Sequence, residues 1–209
     1  MSIEKIDFEL FPSLVCLYKN VLSQEQLNSI YEFLLDEQEK SNMEFGREIT
    51  LSGKSSFVNR ETDILRKISE EIPSCHDLFE VVSHIICDYG KSYGMHYLKI
   101  ETSWFNIQPV GDILREHSHG FSPISSSLFI HVDDDSSNIV FQNPNPVVKS
   151  NYYTNERIES KYAFDNYWIK PSPGDLVVFP GWLIHGSNYQ VNNTVNRTII
   201  GCNAVREKD

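Results

Sequence analysis

Glu116-His117-Ser118-His119-Gly120 sets two imidazoles two residues apart. In an extended segment such side chains leave the same face, about 7 Å apart along the chain, so both can turn toward one ion. Glu116 and Ser118 then point the other way. The spacing by itself also fits two histidines on a solvated strand. His185 strengthens the metal reading, because it closes Pro180-Gly-Trp-Leu-Ile-His185 directly after the apolar run Leu176-Val-Val-Phe179. At the end of an apolar run an unpaired polar ring needs a partner. Two separate segments thus offer three nitrogen ligands, His117, His119 and His185. Imidazole suits iron, zinc, nickel and copper alike, so ligand type does not choose the metal.

Arg197 stands twelve residues past His185 and opens Arg-Thr-Ile-Ile-Gly-Cys-Asn-Ala-Val205. Alternation assigns Arg197, Ile199, Gly201 and Asn203 to one face and Thr198, Ile200, Cys202 and Ala204 to the other. Both faces are largely apolar, as in a strand covered on both sides. A guanidinium is costly to bury without an anion, and its planar fork matches a carboxylate. One of the chain's own acids would meet that need as well as a bound ligand. Asp133-Asp134-Asp135 lacks the glycine-spaced pattern of a calcium loop and reads as a solvated turn. His131 reads as a packed core histidine, and His76, His84 and His96 show no recognisable spacing.

These residues need elements to hold them. Phe8 to Tyr18 suits a strand. Ser23 with Gln26 makes a capping box for a helix through about Gln38, with Leu27, Ile30, Tyr31, Leu34 and Leu35 at helical spacing. A second helix is expected over Thr62 to Glu71 and a third from His76 or Asp77 to about Tyr93, separated by Pro73. From Tyr97 onward, short apolar or alternating runs broken by Gly, Pro, Asn and Asp signal strands joined by turns. We place them near Tyr97–Pro109, Leu114–His119, Ser126–Val132, Asn138–Phe141, Asp175–Phe179 and Thr194–Val205. Helices first and strands later give an α+β class, with helices on one side of a β-sandwich or barrel. The aromatic stretch between Asn145 and Pro171 fits either a lid or an additional hairpin.

Composition limits the function classes. The chain has 209 residues, enough for one sizeable core, and reads as a single domain, 1–209. Its 18 Lys and Arg against 29 Asp and Glu leave a net charge of −11 with no basic run. Non-specific nucleic-acid binding through phosphates is therefore disfavoured. Met1 to Glu9 lacks the continuous apolar stretch of a secretory signal, and no later stretch reaches the roughly 18 apolar residues of a membrane span. With four scattered cysteines and no CxxC, the expectation is a cytoplasmic protein with reduced thiols.

In order and spacing, Leu10-Phe-Pro-Ser, Ser103-Trp-Phe-Asn106, the His-x-His of 117 and 119, Pro173-Gly-Asp-Leu-Val-Val-Phe-Pro180, His185 and Arg197 to Asn203 resemble the 2-oxoglutarate and Fe(II)-dependent oxygenases. The likeness is to the branch common in marine bacteria and their phages, and it covers most of the chain. It implies a double-stranded β-helix (jelly-roll, cupin-like) core with the N-terminal helices packed on one side. It also implies Fe(II) at the open mouth, held by His117, His119 and His185 as the catalytic centre, with positions left for 2-oxoglutarate and O2. Arg197 would hold the distal carboxylate of 2-oxoglutarate, and Asn106 and Asn203 belong to the same co-substrate set. Asn106 has a structural alternative as a turn-facing residue. The implied reaction decarboxylates 2-oxoglutarate to succinate and CO2 and oxidises, by hydroxylation, a C–H bond of an unidentified substrate.

Two positions depart from the wider pattern. His119 stands where many members carry Asp or Glu, which leaves one more unit of positive charge on the metal. Arg197-Thr198-Ile199 replaces Arg-x-Ser and removes a hydroxyl donor. Two alternatives stay open at this level: a three-histidine metal dioxygenase that does not use 2-oxoglutarate, and a non-catalytic jelly-roll binding or virion-associated module.

Overall fold

The structure, a computed structural model, describes residues 13–40, 50–57, 63–145 and 165–207. Its strands are β1 (Cys16–Tyr18), β2 (Lys54–Ser55), β3 (Leu98–Gln108), β4 (Ile124–His131), β5 (Ile139–Gln142), β6 (Asn166–Ile169), β7 (Leu176–Pro180), β8 (His185–Gly186) and β9 (Arg197–Arg206). They form a six-stranded sheet, β1-β7-β4-β9-β3-β2, and a three-stranded sheet, β6-β5-β8, with neighbouring strands antiparallel throughout. Before β3 in sequence come α1 (Gln24–Lys40), α2 (Ile64–Glu71) and α3 (Leu78–Lys91), with β1 ahead of α1 and β2 between α1 and α2. The class is α+β with a double-stranded β-helix core.

The long central strands are apolar on both faces because each face has its own cover. Ile124, Leu128, Leu176, Val178, Ile200, Cys202 and Ala204 join Ile30, Leu34, Leu65, Ile68, Val82 and Ile86 of the helices in one buried cluster. Phe129, Val177, Phe179 and Ile199 point the opposite way and meet Ile139 and Phe141 of the small sheet in a second cluster. The alternation expected along Arg197–Val205 is therefore the division between a helix-facing layer and an inter-sheet layer.

The helix starts follow from local chemistry. The Ser23 amide donates to Gln26 Oε1 at 2.9 Å and the Gln26 amide to Ser23 Oγ at 3.3 Å, the reciprocal pattern of a capping box. Pro73 opens the 3-10 turn Pro73–Cys75 between α2 and α3. His131 stacks on Tyr31 of α1 with ring centroids 4.4 Å apart, the packed role expected for it. Asp133, Asp134 and Asp135 lie on an exposed turn. No disulfide links the four cysteines. Among the described residues no helix is long and apolar enough to cross a membrane.

One expected strand is not formed. Leu114–His119 pairs only through isolated bridges, Thr50 with Leu114 and His117 with His185. The reason lies in β8, which is two residues long. Continuing its ladder would set His119 opposite Leu183, but Leu183 is occupied in a turn, its amide donating to Pro180 O at 2.9 Å. The His119 amide instead bonds Gly181 O at 2.6 Å. β2, β6 and β8 were not anticipated, being four residues or fewer, too short for a periodicity to register. Of the aromatic stretch 145–171, Asn166–Ile169 pairs with β5 as a strand. Tyr152, Tyr153, Tyr162 and Phe164 lie outside the described residues, as do Phe8 to Pro12 and Thr62.

Candidate functional site

Two glycines let the His-x-His segment lie directly on β8 and the turn before it. A Cβ on Gly181 would sit 1.9 Å from Ser122 O, and one on Gly186 would sit 2.9 Å from both Arg115 O and Leu114 O. With both bare, His117 and His185 exchange amide-to-carbonyl bonds at 2.9 Å in each direction. Directly opposed residues of an antiparallel pair project from the same face, so the two rings emerge side by side. Their centroids are 4.4 Å apart, and that of His119 is 5.2 Å from His117 and 5.1 Å from His185. One ligand atom of each of the three lies within 4.8 Å of the others. The structure thus brings the three predicted histidines together.

Each ring has its Nδ1 engaged. His117 Nδ1 is 2.8 Å from Arg115 O, His185 Nδ1 is 2.9 Å from Leu183 O, and His119 Nδ1 is 2.6 Å from Asn203 Oδ1. All three partners are acceptors, so each neutral ring carries its proton on Nδ1 and keeps a lone pair on Nε2. A bound metal needs that tautomer. Burial, the largest effect on each, disfavours the charged ring: it lowers His117, takes His119 down to about 4 and pushes His185 well below the usual histidine value. At neutral pH the cluster is three uncharged nitrogen donors, which fits a divalent metal.

Arg197 lines the same cavity as the histidines, a recess of about 490 Å³ counted with its open mouth. The guanidinium is buried, 1% exposed. Among the described residues it has no carboxylate partner; it donates instead to Gln108 Oε1, its cross-strand neighbour on β3, and to Ser137 O. Its Nε is buried without any acceptor. Burial lowers its pKa to about 10, with Asp112 opposing, so it stays charged at neutral pH. The salt bridge to one of the chain's own acids, the alternative reading of Arg197, is not made among the described residues.

Asn106 lies on β3 opposite Ile199, lines the cavity, and has a buried Oδ1 with no partner. That places it beside the ligand space rather than in a turn. Asn203 is elsewhere: its oxygen accepts from His119 Nδ1 and from Ser125 Oγ at 2.8 Å. Sequence reasoning missed three neighbours. Gln108 and Ser125 become visible only through the register of β9 with β3 and β4. Trp104 faces Gly201 across the β3–β9 pair and packs 5.5 Å from His119. A Cβ on Gly201 would meet the indole at 2.6 Å, so a glycine opposite a large aromatic was the available signal.

Residues 102–203 match the sequence model of the family described as "Putative 2OG-Fe(II) oxygenase". No curated protein matches the sequence. Among solved structures the fold is similar to a Pseudomonas putida prolyl-4-hydroxylase, with a TM-score of 0.61 at 11% identity, covering 93% of each chain. It is also similar to HygX from Streptomyces hygroscopicus with nickel and 2-oxoglutarate bound, with a TM-score of 0.61 at 9% identity, covering 92% of this chain and 82% of that one. A third likeness is to EctD from S. alaskensis with bound Fe, with a TM-score of 0.56 at 10% identity, covering 92% and 72%. At such identities the three structures speak for the fold alone. The family match spans His117, His119, His185 and Arg197 within residues 102–203, just under half of the chain.

Proposed function

We propose that the protein is an Fe(II)- and 2-oxoglutarate-dependent dioxygenase that hydroxylates a substrate with release of succinate and CO2. His117, His119 and His185 would hold the iron through Nε2, and Arg197 would hold the distal carboxylate of 2-oxoglutarate. Iron so held supplies activation of O2 coupled to oxidation of the 2-oxo acid. The carrying observation is a charged, buried guanidinium that has no carboxylate partner among the described residues, on the cavity that three neutral imidazoles also line.

The chain's own residues divide the work. The three rings are fixed by acceptors behind them, so the ligand set is organised before metal arrives. Arg197, steered by Gln108 and Ser137, fixes one end of a dicarboxylate. Its unused Nε–H is a further donor for that carboxylate. Asn106 lines the same cavity and would donate through its Nδ2–H, since a carboxylate only accepts. Trp104, Phe129, Phe179 and Ile199 wall the cavity and the rings with apolar surface, which keeps water from competing for the reactive centre.

Succinate formation from 2-oxoglutarate with Fe(II), measured with and without pooled candidate substrates, tests the assignment. Arg197→Ala should raise the KM for 2-oxoglutarate at least tenfold, the cost of a lost charge-assisted pair being about 1.5–3 kcal/mol. Oxygen consumption that needs no 2-oxoglutarate and is unchanged in Arg197→Ala would favour a three-histidine dioxygenase that does not use 2-oxoglutarate. No succinate from the wild-type protein, together with tight zinc retention, would favour a non-catalytic module.

A further inference from the structure

His117 and His185 are held by the same local device: each Nδ1 faces the carbonyl of the residue two positions earlier, Arg115 and Leu183. For His119 the corresponding carbonyl belongs to His117, and it already accepts the His185 amide in the bridge between the two segments. The third ring therefore turns to a side chain 84 residues away, Asn203 Oδ1, at 2.6 Å. That oxygen also accepts from Ser125 Oγ at 2.8 Å. Ser125 is fully buried and is the cross-strand partner of Asn203 in the β4–β9 pair.

We propose that Asn203, oriented by Ser125, is a positioning residue that sets the tautomer and orientation of His119 so that its Nε2 faces the metal. The assignment rests on the proposed metal site and gives Asn203 a role behind the ligand set rather than among the groups that touch 2-oxoglutarate. Two donors converge on one amide oxygen, which leaves the His119 proton on Nδ1 and the lone pair on Nε2. The register of β4 with β9 sets Ser125 opposite Asn203, so one of the two donors is in place independently of His119 and of any metal. An amide in this place keeps the ligand set neutral. A carboxylate there would accept from the same two donors and add a negative charge one hydrogen bond from the third ligand.

The apo protein labelled with 15N-histidine reports tautomers directly in long-range proton–nitrogen spectra, and Co(II) titration reports affinity without turnover. In the wild type, all three site rings should show the Nδ1–H form. Asn203→Leu should shift His119 alone toward the Nε2–H form or a mixture, and weaken Co(II) binding 10–100-fold. Asn203→Asp should keep the Nδ1–H form and bind Co(II) at least as tightly as the wild type. Ser125→Ala should weaken Co(II) less than Asn203→Leu, because one of the two donors on the oxygen remains.

The proposal is overturned if Asn203→Leu leaves the His119 tautomer and the Co(II) affinity unchanged, or if Asn203→Asp weakens Co(II) binding. The second outcome decides the matter even where Asn203→Leu fails to fold. Failure of the wild-type protein to bind Co(II) would instead sink the metal-site assignment, which separates the two claims.

Discussion

A buried histidine is comfortable only as a neutral ring, and three such rings sharing one point repel any proton that one of them takes up. This has a consequence for stability in the metal-free protein. His119 sits at about 4 when folded, against a histidine value of 6.5 in the unfolded chain. Below pH 6.5 the unfolded state binds more protons, so the stability associated with His119 is full above that pH and is lost as the pH falls toward 4. The effect is on the order of 3 kcal/mol. His117 and His185 are displaced in the same direction and add to it. Urea unfolding of the apo protein at pH 7 and at pH 5 checks this. The difference should shrink in His119→Gln, and an equal difference in the variant would refute the assignment of the buried neutral state.

At the scale of elements, the site depends on how closely two segments approach. The turn and strand 180–186 carry glycine at 181 and 186, and both face backbone atoms of the His-x-His segment or its continuation. Gly181→Ala would place a methyl group 1.9 Å from a carbonyl oxygen, Gly186→Ala 2.9 Å from two. Each should destabilise the protein by about 1–3 kcal/mol, Gly181→Ala more than Gly186→Ala, and each should weaken metal binding because the backbone must separate to make room. Gly120→Ala, with nothing within 4 Å of the added carbon, is the control and should be close to neutral. Thermal unfolding and Co(II) titration of the three variants give the ranking. The pattern Gly-x-x-x-His-Gly was legible in the sequence, but its meaning was not, since neither glycine needs a positive φ. The demand comes from another segment, Leu114 to Ser122, far earlier in the chain.

For the whole molecule, the proposed ligands join two sheets. His185 belongs to the small sheet and Arg197 to the large one, with the His-x-His segment bridged to β8. Ligands that engage all three should stabilise the fold as a unit. Iron with 2-oxoglutarate at a hundred times the dissociation constant adds about 2.7 kcal/mol, equivalent to a rise in Tm of roughly 5–10 °C for a chain of this size. Differential scanning fluorimetry under anaerobic conditions measures it. A chelator should abolish the rise, and Arg197→Ala should remove the part due to 2-oxoglutarate while keeping the part due to metal.

The chain's own pattern determined most of what is periodic or local: the α1 capping box, the strands β3, β4, β7 and β9 within a few residues, the two-sided burial of β9, and the identity of the three histidines and Arg197 as residues that require partners. These follow from interactions among residues near in sequence or from a repeat of two. Tertiary structure decided the rest. It broke the expected strand at His119, left Arg197 without a carboxylate partner among the described residues, put Asn106 beside the cavity, and set Asn203 behind His119 instead. The physical reason is that pairing register joins residues such as Gln108 with Arg197 and Ser125 with Asn203, whose separation along the chain carries no trace of their contact. A side chain's hydrogen-bond partner is a property of that register, whereas its need for a partner is a property of the residue.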